Sequence, residues 1–127
     1  MIVGIGTDIL EIERMRDLLA RHGDHFLERI FCEGEREYCQ GTADPAVHYA
    51  ARFAAKEAVL KVLGTGWGQG IRWRDIEVAR NDNGDPSILL HGKAAGIATG
   101  MNIDYMHLSL SHGKKQAIAT AVGEQRA

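Results

Sequence analysis

Glu57 and Lys61 stand four residues apart in a run that is largely alanine, valine, leucine and phenylalanine. With successive helix residues turning by about 100°, Glu57 falls among Ala50, Phe53, Ala54 and Leu60, roughly 140° from Arg52. His48, Arg52 and Lys56 share another stripe, which the same wheel assigns to solvent. Two readings of the pair are open. It is an i,i+4 contact that supports the helix by a few tenths of a kcal/mol, on the order of 0.2–0.5. Alternatively, apolar surroundings cost both groups hydration that one salt bridge replaces poorly, so each needs another partner. A divalent cation would satisfy Glu57 and a phosphate would satisfy Lys61. Mg²⁺ fits best, being commonly held by one or two carboxylates, several waters and substrate phosphates. The helix C-terminus also favours a cation. A second carboxylate is then required, and Asp8 is the candidate, because Gly4 and Gly6 before it allow close approach. Asp8 would serve equally as the N-cap of a following helix, and Glu11 and Glu13 as first-turn acids complementing that helix's dipole.

Glycines divide the chain into the elements that must place these groups. Residues 2–6 read as a short strand ending near Asp8, and apolar residues at helical spacing predict a helix from Leu10 to His22, closed by Gly23. Short helical segments are expected over 26–31 and over 33–39, the latter ending at Gly41. Asp44 and Pro45 suit an N-cap and first turn, and the glycine-free, alanine-rich stretch from Ala46 to Leu63 predicts a long helix ending at Gly64. Strand material follows at 71–73 and 76–79. Asn83-Gly84 marks a hairpin to 88–90, and a small-residue helix covers 91–99. A second hairpin joins 105–111 to 116–122. The order β-α-α-α-β-β-α-β-β predicts an α+β fold with mainly antiparallel pairing in a single domain, residues 1–127.

Composition excludes several functions. Fifteen Lys and Arg against 17 Asp and Glu give a net charge of −2, without the basic excess that duplex nucleic acid binding uses. A chain of this length buries about two-thirds of its unfolded surface, so no disulfide or structural metal is required. Cys32 and Cys39 form no Cys-x-x-Cys unit and read as packing residues. No basic leader with a long apolar run begins the chain and no stretch reaches the roughly 20 apolar residues of a membrane span, so the expected location is cytoplasmic.

Some motifs fail their tests. Gly4-Ile-Gly6-Thr-Asp8-Ile9 lacks the third glycine of a dinucleotide fingerprint, and the loop Gly64-Thr-Gly66-Trp-Gly68-Gln-Gly70 has no Gly-Lys-Ser/Thr ending. No nucleophile elbow surrounds Ser109 or Ser111, and His112 is either a phosphate donor at a strand end or structural. Arg14, Leu18 and Arg21 recur at i, i+4, i+7, which makes a solvated basic face or a docking face for an acidic amphipathic helix anchored on Leu18.

Three segments together carry a resemblance: Gly4-Ile-Gly6-Thr-Asp8-Ile9; Arg52-Phe-Ala-Ala-Lys56-Glu57-Ala-Val-Leu-Lys61 with Gly64-Thr65-Gly66; and Leu108-Ser-Leu-Ser-His112. With Gly70-Ile71-x-Trp73-x-Asp75-Ile76-Glu77-Val78 and Asn83-Gly84-x-Pro86 between them, nearly the whole chain resembles the holo-acyl-carrier-protein synthases, the short single-domain 4'-phosphopantetheinyl transferases. The resemblance implies that family's fold, an antiparallel sheet packed against a long helix. It also implies transfer of the phosphopantetheine arm of coenzyme A to a serine of apo acyl carrier protein for fatty acid synthesis, with release of adenosine 3',5'-bisphosphate. Mg²⁺ would lie between Asp8 and Glu57. Lys61 would neutralise or protonate the leaving phosphate, and Glu57 would take the serine proton directly or through a metal-bound water. Arg52 and His112 map to coenzyme A phosphate contacts, with Lys56, Gly64, Thr65 and Gly66 as further contacts. Arg14, Leu18 and Arg21 map to carrier docking, and a homotrimer with active sites between subunits is implied. Gly113 stands where a threonine is common, and Cys32 and Gly34 where a capping Thr or Ser is common, so one phosphate contact and one helix cap are open. The rival from another class is a non-catalytic module that binds coenzyme A or the carrier; it leaves the convergence of two acids and a lysine without a reason.

Overall fold

The computed structural model describes residues 1–126. Strand β1 (Ile2–Glu11) leads into α1 (Ile12–Ile30), α2 (Glu33–Gln40) and the long α3 (Pro45–Leu63); after a loop and a 3-10 turn at Trp73–Asp75 come β2 (Ile76–Arg80), β3 (Pro86–Leu90), α4 (Gly92–Gly100), β4 (Tyr105–His112) and β5 (Gln116–Glu124). A three-stranded sheet has the order β1-β5-β4 and a two-stranded sheet pairs β2 with β3; every pairing is antiparallel. The α+β architecture and both hairpins therefore follow the sequence reading.

The element that matters most is α3. Alanines at 46, 50, 51, 54, 55 and 58 give it high helix propensity, Pro45 occupies its first turn, and Gly64 ends it at φ 73° with its N–H bonded to the Leu60 carbonyl. It is buried on nearly all sides, joining one apolar cluster around Val59, Ile76 and Ala119 to a second around Ile12, Phe31 and Tyr49. The sheet lies directly on it: a Cβ at Gly6 would stand 2.1 Å from the Ala58 carbonyl oxygen and 2.9 Å from the Lys61 Cβ. Only glycine allows that approach, which sets the middle of β1 against the last turns of α3.

Four local expectations are corrected. β1 runs on to Glu11 and α1 begins at Ile12, because Leu10 is buried as a strand residue paired with Ala117. Asp8 thus lies inside a strand, which removes its role as an N-cap. Gly23 breaks the helical path at φ 55°, and helix resumes to Ile30, both as expected. Asp44 occupies the N-cap position of α3 without a side-chain cap, since its carboxylate takes both ends of the Arg16 guanidinium at 2.8 and 2.7 Å. That charge-assisted pair also holds the Asp44 carboxyl below its ordinary range. Residues 71–73 are not strand: Asp75 accepts from the Arg72 backbone N–H at 3.0 Å and folds the segment into the 3-10 turn. The cap left open at Cys32 is supplied from the other side, where the Glu35 carboxylate accepts the Cys32 N–H at 2.7 Å.

Candidate functional site

Because β1 presses on α3, Lys61 meets the carboxylate of Asp8, and Glu57 stands one helical turn before Lys61 on α3. Lys61 does not pair with Glu57. Its ammonium donates to the Thr7 carbonyl at 2.6 Å and to Asp8 Oδ1 at 3.2 Å, with 54% of its side chain exposed. Those bonds use two of its three protons, which leaves one without an acceptor. Glu57 is half-buried, and its Oε1 accepts from Trp67 Nε1 at 3.3 Å. Among the described residues Glu57 Oε2 and Asp8 Oδ2 accept no hydrogen bond from the protein. The site thus offers two unclaimed carboxylate oxygens beside one unclaimed ammonium proton.

The hard oxygen donors fit Mg²⁺ in type. No group of three or more His, Cys, Asp or Glu that could hold a metal as a closed cage occurs among the described residues. Two carboxylates that leave coordination positions for water and phosphate are the donor set this ion commonly takes. Trp67, from the glycine-rich loop, stacks on Trp73 with ring centroids 3.8 Å apart, and Trp73 lies 4.7 Å from Phe53. Trp67 also walls a cleft of about 780 Å³ that Arg29, Ile71, Arg72 and Arg74 help to line.

A second group of predicted residues gathers elsewhere. Arg52 is buried, and its guanidinium lies 4.3 Å from the centre of the Tyr38 ring, over which Arg80 also lies at 4.4 Å. Its Nη1 donates to the His48 carbonyl at 3.3 Å, whereas its buried Nε has no partner. His48 stands between the Tyr38 ring at 5.7 Å and the exposed His112 ring at 6.0 Å. Burial first, then the positive charge of Arg52 and His112, holds His48 below the usual histidine range. Arg52 and His112 therefore belong to one cationic cluster, separate from the Asp8 centre.

The solvent-facing stripe assigned to His48, Arg52 and Lys56 is corrected here. Lys56 is fully buried, and its ammonium donates to Glu35 Oε1 at 3.0 Å, the Trp73 carbonyl at 3.2 Å and the Ile76 carbonyl. All three protons are taken, so the expected ligand contact at Lys56 gives way to a structural role. Glu35 answers it by also accepting the Val78 N–H at 2.8 Å. Arg14 and Arg21 are exposed on α1 with Leu18 half-buried between them, while Arg16 is tied to Glu13 and Asp44. Gly64, Thr65 and Gly66 form the turn after α3, where Thr65 Oγ1 donates to the Gly66 carbonyl at 2.9 Å. Sequence reasoning missed Glu35, Trp67, Tyr38 and Arg80. Cys32-x-x-Glu35 is a capping box with sulfur in place of the hydroxyl, and a tryptophan inside a glycine loop is a signal in itself. Tyr38 and Arg80 carry no comparable mark.

The chain is similar to known proteins over nearly its whole length. Residues 4–121 match the family model described as the 4'-phosphopantetheinyl transferase superfamily. The chain belongs to that superfamily. The holo-[acyl-carrier-protein] synthase of Koribacter versatilis is 45% identical over 124 residues, covering 98% of this chain and 99% of that one. A crystal structure of the holo-[acyl-carrier-protein] synthase from Neisseria meningitidis superposes with a TM-score of 0.87 at 33% identity, covering 98% of this chain and 99% of that one. The corresponding Bacillus anthracis protein, solved in complex with CoA (3',5'-ADP), matches with a TM-score of 0.80 at 39% identity and 99% coverage of both chains.

Proposed function

We infer that this chain transfers the 4'-phosphopantetheine arm of coenzyme A to a serine of apo acyl carrier protein and releases adenosine 3',5'-bisphosphate, giving the holo carrier for fatty acid synthesis. The observation that carries the reading is the Asp8, Glu57 and Lys61 centre, where two carboxylate oxygens and one ammonium proton stay free where β1 meets α3. Asp8 and Glu57 would hold Mg²⁺, which when bound withdraws charge from the diphosphate. The serine oxygen bonds to the phosphorus that bears the pantetheine arm, and the bond from that phosphorus to the bridging oxygen breaks. Lys61 places its free proton against the departing phosphate oxygen, stabilising charge as it develops. Glu57 receives the serine proton, directly or through a water. Thr7 and Asp8 fix the Lys61 ammonium, so little reorganisation accompanies the step.

Arg52 and His112 are the contacts for the other phosphates of coenzyme A, and the Gly64–Gly66 turn at the end of α3 is a further one. Their separation from Asp8 favours an active site completed by a neighbouring copy. The sheet face turned away from α3 supports such an assembly: Ile5, Ile9 and Ile118 are 68%, 52% and 39% exposed, with Ile9 directly opposite Ile118. A homotrimer closed on that strip would cover it. Arg14, Leu18 and Arg21 receive the acidic helix of the carrier, and Arg29 extends the positive charge along α1. The free thiols of Cys32 and Cys39 suit the reducing cytoplasm.

The test is to incubate the protein with apo carrier, coenzyme A and Mg²⁺ and to weigh the carrier. The expected result is a gain of one phosphopantetheine, abolished by a chelator. Tight carrier binding without any mass gain would instead establish the binding module.

A further inference from the structure

Trp67 sits in a loop, Gly64 to Gly70, whose backbone takes positive φ at Gly64, Gly66, Gln69 and Gly70. Nothing in such a turn asks for an indole, yet this one is fixed at both its face and its edge. Its face stacks on Trp73, which leans on Phe53; its edge donates to Glu57 Oε1 at 3.3 Å. Trp73 is itself anchored, because its carbonyl accepts from the buried Lys56 ammonium that Glu35 balances. An unbroken series of contacts thus runs from the buried Glu35–Lys56 pair through Trp73 and Trp67 to the edge of Glu57. Glu57 has three side-chain torsions and, among the described residues, no other polar contact. Without the indole N–H its carboxylate would turn freely between the α3 surface and solvent.

We propose that Trp67 is a positioning residue that holds Glu57 by Oε1 and so leaves Oε2 available to the metal and the serine. The inference rests on the transfer reading above and adds a residue to it. Trp67 makes no bond to substrate in this account and acts only through Glu57. A role confined to packing would require the ring alone, and ring and N–H can be separated by substitution.

Trp67→Phe keeps a stacking ring and removes the donor; Trp67→His restores an N–H on a smaller ring. The quantities to measure are kcat and both KM values for carrier modification, the melting temperature, and Mn²⁺ binding in the presence of coenzyme A, followed by the loss of the free-ion paramagnetic resonance signal. Losing one hydrogen bond to a charged group predicts about a tenfold fall in kcat for Trp67→Phe, with KM for coenzyme A and carrier little changed. Mn²⁺ binding should weaken by roughly the same factor, while the melting temperature holds and Trp67→His recovers part of both losses. In a Glu57→Gln background Trp67→Phe should cost far less, since the two residues act as a unit. Trp67→Phe with wild-type kcat and Mn²⁺ affinity would overturn the proposal. So would equal losses in both backgrounds, or losses that track the melting temperature with no recovery in Trp67→His. A wild-type protein that transfers nothing would overturn the transfer reading itself, a separate outcome.

Discussion

Two carboxylate–ammonium groups lie against α3, five residues apart in their lysines, and they differ in what is left over. Around Lys56 all three ammonium protons have acceptors, Glu35 collects three backbone or side-chain donors, and both residues are fully buried. Around Lys61 one proton is unassigned, and Asp8 and Glu57 each keep an oxygen without a protein partner. A saturated set can only hold the fold together, whereas an unsaturated one at the edge of the packing can take a ligand. Charge alone does not separate the two lysines; the count of unused donors and acceptors does.

The sharpest break in this comparison is expected at Glu57. Glu57→Gln keeps the shape but loses the base and weakens metal binding, so carrier modification should fall by about 10²–10⁴-fold with the melting temperature nearly unchanged. A wild-type rate measured by carrier mass would remove Glu57 from the chemistry.

Next in size is the closed set. Glu35→Gln leaves the Lys56 ammonium buried without its counter-charge, and breaking such a pair costs about 3–5 kcal/mol. Denaturant titration should register that loss. For a chain of this length a loss of 1 kcal/mol lowers the melting temperature by roughly 2–8 °C. An unshifted melt would mean that water reaches the pair.

Docking should give a smaller effect. Charge reversal at Arg14 and Arg21 removes steering of an acidic helix and should raise KM for the carrier about tenfold or more while KM for coenzyme A stays constant. Equal changes in both would place the docking face elsewhere.

The smallest effect is a pH dependence. Burial, then Arg52 and His112, lowers the folded-state pKa of His48, so on acidification the unfolded chain binds the proton first. The stabilisation is complete above about pH 6.5, the ordinary histidine value, and is lost as pH falls toward the folded value. His48→Gln should flatten the melting temperature against pH in that interval by less than about 4 °C. An unchanged slope would mean that His48 is not the group responsible.

Much of the molecule was legible because local signals and tertiary structure agree. Pro45, the alanines and Gly64 bound α3, Asn83-Gly84 makes its hairpin, and the strand alternation in 105–111 and 116–122 reflects a sheet with one face on α3 and one open. The wheel of α3 separated Glu57 from Arg52 correctly but failed for Arg52 and Lys56. Periodicity treats a charged residue as an outward one, and it cannot register a partner such as Glu35, 21 residues away, or the carbonyls of a 3-10 turn. Asp8 was given the wrong local setting, because β1 extends five residues beyond Gly6, to Glu11. Trp67 lay in plain view in its loop, but only the fold brings its indole to Glu57.

The most direct test of the account compares the two lysines in one experiment: Lys61→Met and Lys56→Met, each assayed for carrier mass gain and for thermal unfolding. The account predicts that Lys61→Met melts like the wild type and loses at least about a hundredfold in transfer rate, while Lys56→Met is strongly destabilised and any folded fraction retains transfer. A Lys61→Met protein with normal transfer, or a stable Lys56→Met protein that has lost it, would contradict the assignment of open and closed sets on α3.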